Sequence, residues 1–315
     1  MKAIADNDTI QIEITNACPN KCANCTRYVG LSKPFFMTFD YFKKAVDSLE
    51  RFHNMVGVMG GEPLLHPEFE KFCEYALSKF PREQLGLWTC FPKGFEKYRE
   101  VIVKTFGNIF LNDHTRNDIF HHPFLVAAKD LVPSREMIFY VADKCYFQRA
   151  WSASINPRGA YFCEMAASYA MLFTKTAMDG WPLEKGWWRK TTKDYTEQIE
   201  HFCEYCGGAL FLKRRSSVDH SLYDITESNL DRILKEHPKV DLDRFVLYQK
   251  KDLLDKEDCQ EVLAAYKDQD YRNEIAGRYG IYLTLNPSHF NEPHLLGDIT
   301  ASGTILDSYR KRYGL

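Results

Sequence analysis

"TIQIEITNACPNKCANC", residues 9–25, decides how the rest of the chain is read. Its first seven residues alternate, with Ile10, Ile12 and Ile14 against Gln11, Glu13 and Thr15. That period of two predicts a β-strand with two chemically different faces. Three cysteines then follow within eight residues, Cys18, Cys22 and Cys25, with no histidine beside them. If the strand belongs to a parallel α/β sheet, the cysteine loop lies at the C-terminal end of that strand. Such folds carry their sites at that end.

Outward from this stretch, strand and helix patterns alternate over the first 145 residues. "MTFDYFKKAVDSLERF" (37–52) predicts an amphipathic helix capped by Thr38. "MVGVMGG" (55–61), "LGLWTC" (85–90) and "NIFLND" (108–113) predict strands. "PEFEKFCEYALSKF" (67–80) and "KGFEKYREVIVKTF" (93–106) predict helices between them. Residues 118–129 read as a further helix and "EMIFYVA" (136–142) as a fifth strand. The class is α/β, with an open or partial barrel, because five repeats are too few to close an eight-stranded one. The chain has 315 residues, 45% of them hydrophobic, which suffices for a sizeable core. A net charge of −2 offers no bulk attraction to nucleic acid or to an anionic membrane. No apolar run is long enough to span a bilayer, and "MKAIADNDTI" (1–10) lacks a signal-peptide core. The expectation is a cytoplasmic protein. In that compartment ten cysteines point to metal binding or catalysis before disulfides.

A structural zinc ion wants four ligands, and the trio has no fourth nearby. Three thiolates suit a 4Fe–4S cluster with one iron left free. The CxxxCxxC spacing, followed by "MGGEPLLHPEF" (59–69) at the end of the second strand, resembles the signature and the GGEP motif of the radical S-adenosylmethionine (radical SAM) superfamily. The resemblance implies a partial (β/α)6 TIM-like radical SAM barrel. It also implies a 4Fe–4S cluster on Cys18, Cys22 and Cys25 that binds S-adenosyl-L-methionine, with a donor such as flavodoxin or ferredoxin to reduce it. Gly60, Gly61, Glu62 and Pro63 would meet the methionyl end of SAM. Many members carry an aromatic residue just before the third cysteine; here Asn24 stands there, beside the expected adenine site.

Four more cysteines form a looser group. Cys145 and Cys163 bracket "CYFQRAWSASINPRGAYFC", whose Pro157–Arg158–Gly159 turn predicts a hairpin. Cys203 and Cys206 form a CxxC in "HFCEYCGG" (201–208). Zinc and an iron–sulfur cluster are both physically allowed on such a set. The arrangement resembles the twitch region, a shortened SPASM domain, of radical SAM enzymes. There four cysteines hold an auxiliary 4Fe–4S cluster, and the spacing from Gly159 to Cys163 is one residue shorter than usual. Fully ligated, that cluster would serve as an electron acceptor, as in the twitch-containing dehydrogenase of aminocyclitol biosynthesis.

The expected organisation is a barrel core over 1–144, a twitch-like region over 145–212 and a mostly helical C-terminal extension over 213–315. Cys90, at the end of the third strand, reads as a hydrogen-atom donor or as a core thiol. Asp113 and His114 read as substrate, ribose or proton-transfer groups, or as a polar loop. Arg149, Arg158 and the basic run "LKRRSS" (212–217) read as surface charge before anion sites, and the tryptophans of "GWPLEKGWWRKTT" (180–192) as packing before a sugar platform. "SNLDRILKEH" (228–237) predicts a helix, residues 256–279 one or two more, and "IYLTLN" (281–286) a last strand. The expected activity is radical oxidation or other modification of a small polar metabolite, carbohydrates among the candidates. Modification of a peptide or protein side chain and a non-catalytic zinc module stand as alternatives.

Overall fold

The computed structural model describes residues 1–249, except 113, 115–118, 133, 144, 211 and 220, together with the backbone of Leu283–Leu285. In chain order its strands and α-helices begin with β1 (Thr9–Thr15), α1 (Phe39–Ser48), β2 (Met55–Gly60), α2 (Phe69–Lys79), β3 (Leu85–Thr89), α3 (Arg99–Thr105) and β4 (Asn108–Leu111). β5 (Phe120–His121), α4 (Ala128–Leu131), α5 (Arg135–Asp143), α6 (Tyr146–Ala150), β6 (Ala153–Asn156), β7 (Gly159–Tyr161), α7 (Glu164–Leu172) and α8 (Thr196–Phe202) follow. β8 (Arg215–Ser216), β9 (Tyr223–Ile225), α9 (Glu227–Glu236), β10 (Phe245–Leu247) and β11 (Leu283–Leu285) complete the described elements.

One seven-stranded sheet runs β11-β4-β3-β2-β1-β6-β7. Its five central strands are parallel; β11 and β7 are antiparallel. This open, parallel-dominated sheet with helices outside it is a partial TIM-like barrel. β1 lies inside the sheet, pairing with β2 on one side and β6 on the other, so segment 145–212 extends the same sheet that segment 1–144 begins. All seven residues of β1 are buried. Ile10, Ile12 and Ile14 join the main core, where Phe42 of α1 stacks on Phe72 of α2 with ring centroids 4.2 Å apart. The polar face, Gln11, Glu13 and Thr15, is buried too, and so looks into the barrel rather than into water. Thr38 caps α1 as the sequence predicts, accepting from the Tyr41 backbone N–H at 3.3 Å.

Two predicted elements differ. Residues 136–142 belong to a helix, α5, because their burial repeats every four residues: Ile138 and Ala142 are buried, whereas Tyr140 is 61% exposed. A short apolar run carries too little period to separate strand from buried helix. Of the residues predicted as one helix over 118–129, those from 119 on form β5, a buried turn and the start of the short α4 instead. Pro123 interrupts the helical ladder there, and Thr226 Oγ1 takes the Ala127 N–H at 2.9 Å. The fifth parallel strand is β6, beside β1. The predicted 153–161 hairpin forms as β6–β7, α9 stops before Pro238, and the last strand forms as β11, against β4. The helices predicted over 256–279 lie outside the described residues. The tryptophans pack at the N-terminal ends of the strands: Trp187 Nε1 donates to Ser48 Oγ at 3.1 Å and Trp188 meets Phe52 edge-on.

Past β2 the chain stays against the end of β1. Gly61 and Glu62 N–H groups donate to Thr15 and Ala17 carbonyls, each at 2.8 Å. A Cβ on Gly60 would lie 2.0 Å from Thr15 O, and one on Gly61 2.5 Å from Ala17 O. Both glycines are therefore demanded by the approach of the cysteine loop itself. Gly60→Ala is expected to destabilise the protein by about 3 kcal/mol or more through this backbone clash, read as a lowered urea midpoint.

Candidate functional site

The loops after β1, β2, β3 and β4 bring Cys18–Cys25, Gly60–Pro63, Cys90 and His114 to one end of the sheet. The cysteine loop is shaped for thiolates. Cys18 Sγ receives the Asn20 N–H at 3.4 Å, and Cys25 Sγ receives backbone N–H groups of Arg27 and Val29. Burial pushes the Cys25 thiol up, these N–H groups pull it down, and neighbouring Cys18 adds repulsion. A bound cation would relieve both the burial and the repulsion.

Asn24 does not point a free amide at a ligand. Its carboxamide donates to Asp224 Oδ2 at 2.7 Å and accepts the Asp224 N–H at 2.9 Å, and its backbone sits at φ 45°. Asp224 is in turn held by Arg215, so part of the "LKRRSS" run braces the cysteine loop through β8 and β9. Glu62 is likewise a brace. Its buried carboxylate accepts from Leu64 N–H at 3.0 Å, Thr89 Oγ1 at 2.8 Å and Cys90 N–H at 2.7 Å. Burial raises its pKa, and these bonds oppose the rise. Pro63 opens a single 3-10 turn. The Cys90 thiol lies within hydrogen-bond reach of Cys18 and Glu62, and those neighbours and burial hold it protonated. Asp113 lies outside the described residues. His114 packs on His121 with ring centroids 4.6 Å apart, and burial beside that second ring keeps it neutral.

The second group converges as well. Cys145, Cys163, Cys203 and Cys206 all line one cavity of about 450 Å³, counting its open mouth, with Phe124, Phe147, Phe162 and Tyr169 in its wall. Cys145 and Cys163 stand at the N-caps of α6 and α7. Their sulfurs face backbone N–H groups, of Phe147 and Gln148 for Cys145 and of Met165 for Cys163. Gly208 N–H reaches Cys206 Sγ at 3.3 Å. Burial raises all four thiols, and repulsion from neighbouring cysteines adds to it at Cys163, Cys203 and Cys206, the last pushed up to about 12. The four sulfurs stand around a space rather than at a point: among the described residues, no three His, Cys, Asp or Glu side chains are placed to hold one metal ion. Arg149 has its guanidinium near Asp143 O, and Arg158 pairs with Asp179 at 2.7 Å.

Several site residues have no signal in sequence. Arg27 lies between Glu13 on β1 and Glu164 on α7. It is 3.0 Å from Glu13 Oε1, pairs with Glu164, donates to Ser168 and touches Met59 Sδ at 3.2 Å. All three charged side chains are at most 6% exposed. Burial raises Glu13 to about 6, with Arg27 opposing and Glu164 reinforcing the rise. Burial alone would lower Arg27, but the two carboxylates hold it above its ordinary value. Neighbouring histidines fasten both cysteine groups. His121 Nδ1 lies 2.6 Å from the Ala23 carbonyl, between Cys22 and Cys25, and His122 Nε2 donates to the Gly207 carbonyl, beside Cys206, at 2.9 Å. The polar face of β1 is the only hint of Glu13, and a position one or two residues past a cysteine the only hint of Glu164 and Arg27.

Residues 12–108, from β1 to the start of β4, match the family model described as the radical SAM superfamily. Among solved structures, the crystal structure of BtrN in complex with AdoMet and 2-DOIA is similar at 16% sequence identity. The match covers 64% of this chain and 92% of that one, with a TM-score of 0.43. No curated protein matches the sequence. No helix among the described residues is long and apolar enough to cross a membrane.

Burial lowers His122 to about 4, with Arg214 adding to the effect. An unfolded histidine titrates near 6.5. Between about 6.5 and about 4 the unfolded chain therefore takes up a proton that the folded chain refuses. This residue alone is expected to cost about 3 kcal/mol of stability by the bottom of that window. Glu13, whose value is raised, works in the opposite sense, so the check is the difference between wild type and His122→Gln. Urea midpoints measured from pH 7 to pH 4 should fall more steeply for wild type.

Proposed function

We propose that the chain is a radical SAM enzyme with two iron–sulfur sites, which oxidises or otherwise modifies a small polar metabolite. The observation that carries this reading is the gathering of Cys145, Cys163, Cys203 and Cys206, far apart in sequence, around one cavity. Cys18, Cys22 and Cys25 would hold the first cluster and leave one iron for the amine and carboxylate of S-adenosylmethionine. When bound and reduced by a donor such as flavodoxin or ferredoxin, that pair supplies a 5'-deoxyadenosyl radical able to take a hydrogen atom from substrate.

The chain's own residues do the rest. Backbone N–H groups at Cys18, Cys25, Cys145, Cys163 and Cys206 face the sulfurs and would support the thiolates that a bound cluster needs. Glu62 holds the β2 and β3 loops together beneath the first site, with Cys90 as a protonated thiol next to it. His114 is neutral and so able to accept a proton from a substrate hydroxyl. Four thiols around the second cavity favour a fully ligated cluster over zinc, whose four sulfurs would meet about 2.3 Å from one ion. With no open iron, the second site would accept an electron from the substrate, which makes alcohol oxidation the favoured outcome and a dehydrogenase the favoured class.

Anaerobic reconstitution tests this. The protein should turn brown and cleave SAM under reduction, and deuterium from a labelled substrate should appear in 5'-deoxyadenosine. The variant with Cys18, Cys22 and Cys25 all replaced by alanine should lose SAM cleavage yet keep the spectrum of the second cluster. A colourless, zinc-loaded protein that leaves SAM intact would sink the proposal.

A further inference from the structure

Two consecutive residues join the two cysteine sites. Arg27 and Tyr28 follow Cys25 after a single residue, Thr26, and both dock on α7, which follows Cys163 directly. Arg27 holds Glu164 and Ser168, while the Tyr28 ring meets Tyr169 edge-on, with centroids 5.7 Å apart at 87°. On its other side Tyr28 lies 6.2 Å from Tyr223. The Tyr223 hydroxyl is within hydrogen-bond reach of Cys25 Sγ. At the far end, Tyr169 lines the second cavity, and its hydroxyl lies 2.6 Å from the Tyr205 carbonyl, which precedes Cys206. The three tyrosines are at most 2% exposed. The backbone departs from ordinary geometry to make this contact, since Tyr28 sits at φ 51°, a left-handed conformation costly for a bulky side chain.

We infer that Tyr28, placed between Tyr223 and Tyr169, is the bridge across which one electron passes between the two cysteine sites. This rests on the reading that both sites hold iron–sulfur clusters. The exchange is a single-electron one: the cluster on one side is oxidised as the other is reduced, and no bond or proton moves. The contiguous aromatic rings supply the path, and the Arg27 ion pairs keep the loop and α7 in register.

The test uses the full chain, reconstituted anaerobically, without SAM or substrate. One-electron photoreduction with a deazaflavin, followed by freeze-quench EPR, reports how fast the electron redistributes between the two cluster signals. Tyr28→Phe keeps the ring and should match wild type. Tyr28→Leu should slow redistribution by an order of magnitude or more at unchanged iron content and midpoint potentials. Tyr169→Leu, which removes the ring on the other side of the same contact, should do the same and serves if Tyr28→Leu fails to fold. A wild-type rate in a leucine variant carrying both clusters overturns the bridge, as does equal slowing in Tyr28→Phe. A wild-type protein with a single cluster signal overturns the two-cluster reading instead, and the bridge with it.

Discussion

The rest of the structure depends on one buried guanidinium. Arg27 is the cation between two carboxylates, Glu13 and Glu164, with all three out of water. Taking ions out of water costs several kcal/mol each, which only close pairing and satisfied hydrogen bonds offset. The pairing has few alternative geometries. It draws together the inner face of β1, Met59 on β2, the tail of the first cysteine loop and the first turns of α7. The loop that carries Cys25 and the helix that follows Cys163 are thereby fixed against each other.

Around this centre, other contacts set the mouth of the barrel by close approach and by closure of polar groups. The glycines after β2 admit the backbone of residues 15–17, and Glu62 then bonds across to β3. Asn24 and Asp224 lock the loop to β9, and His121 and His122, adjacent in sequence, each tie down one cysteine segment. Those histidines are buried and neutral, so they act as hydrogen-bonding struts. The helix starts at Cys145 and Cys163, with their inward N–H groups, give the second cavity a positive lining in backbone alone.

Much of the first 111 residues was legible because each element there is long enough to show its period and is bounded by Gly, Pro or a cap. The errors came where those cues fade. The apolar residues of 136–142 read as a strand, yet only the four-residue repeat of burial identifies a helix. Across 118–129 a proline and buried histidines replaced the expected helix with a turn whose polar groups are satisfied by distant partners. At the site, a Cβ on Gly60 or Gly61 would meet the backbone of residues 15–17, a close approach that sequence spacing does not reveal. Asn24 and Glu62 are spoken for by protein partners that sequence spacing does not reveal.

Sequence alone determined the α/β class, the position of the first three cysteines just past the first strand, and which other cysteines were candidates for a second group. Those features are local, arising from hydrophobic period, caps and short spacings along the chain. Tertiary structure alone decided that the second four cysteines share one cavity, that the polar face of β1 is buried, and that Arg27 and Tyr28 bind both groups to α7. The reason is physical: a buried charge or ring is stabilised by whatever folds against it, and the α7 partners of Arg27 lie more than a hundred residues away.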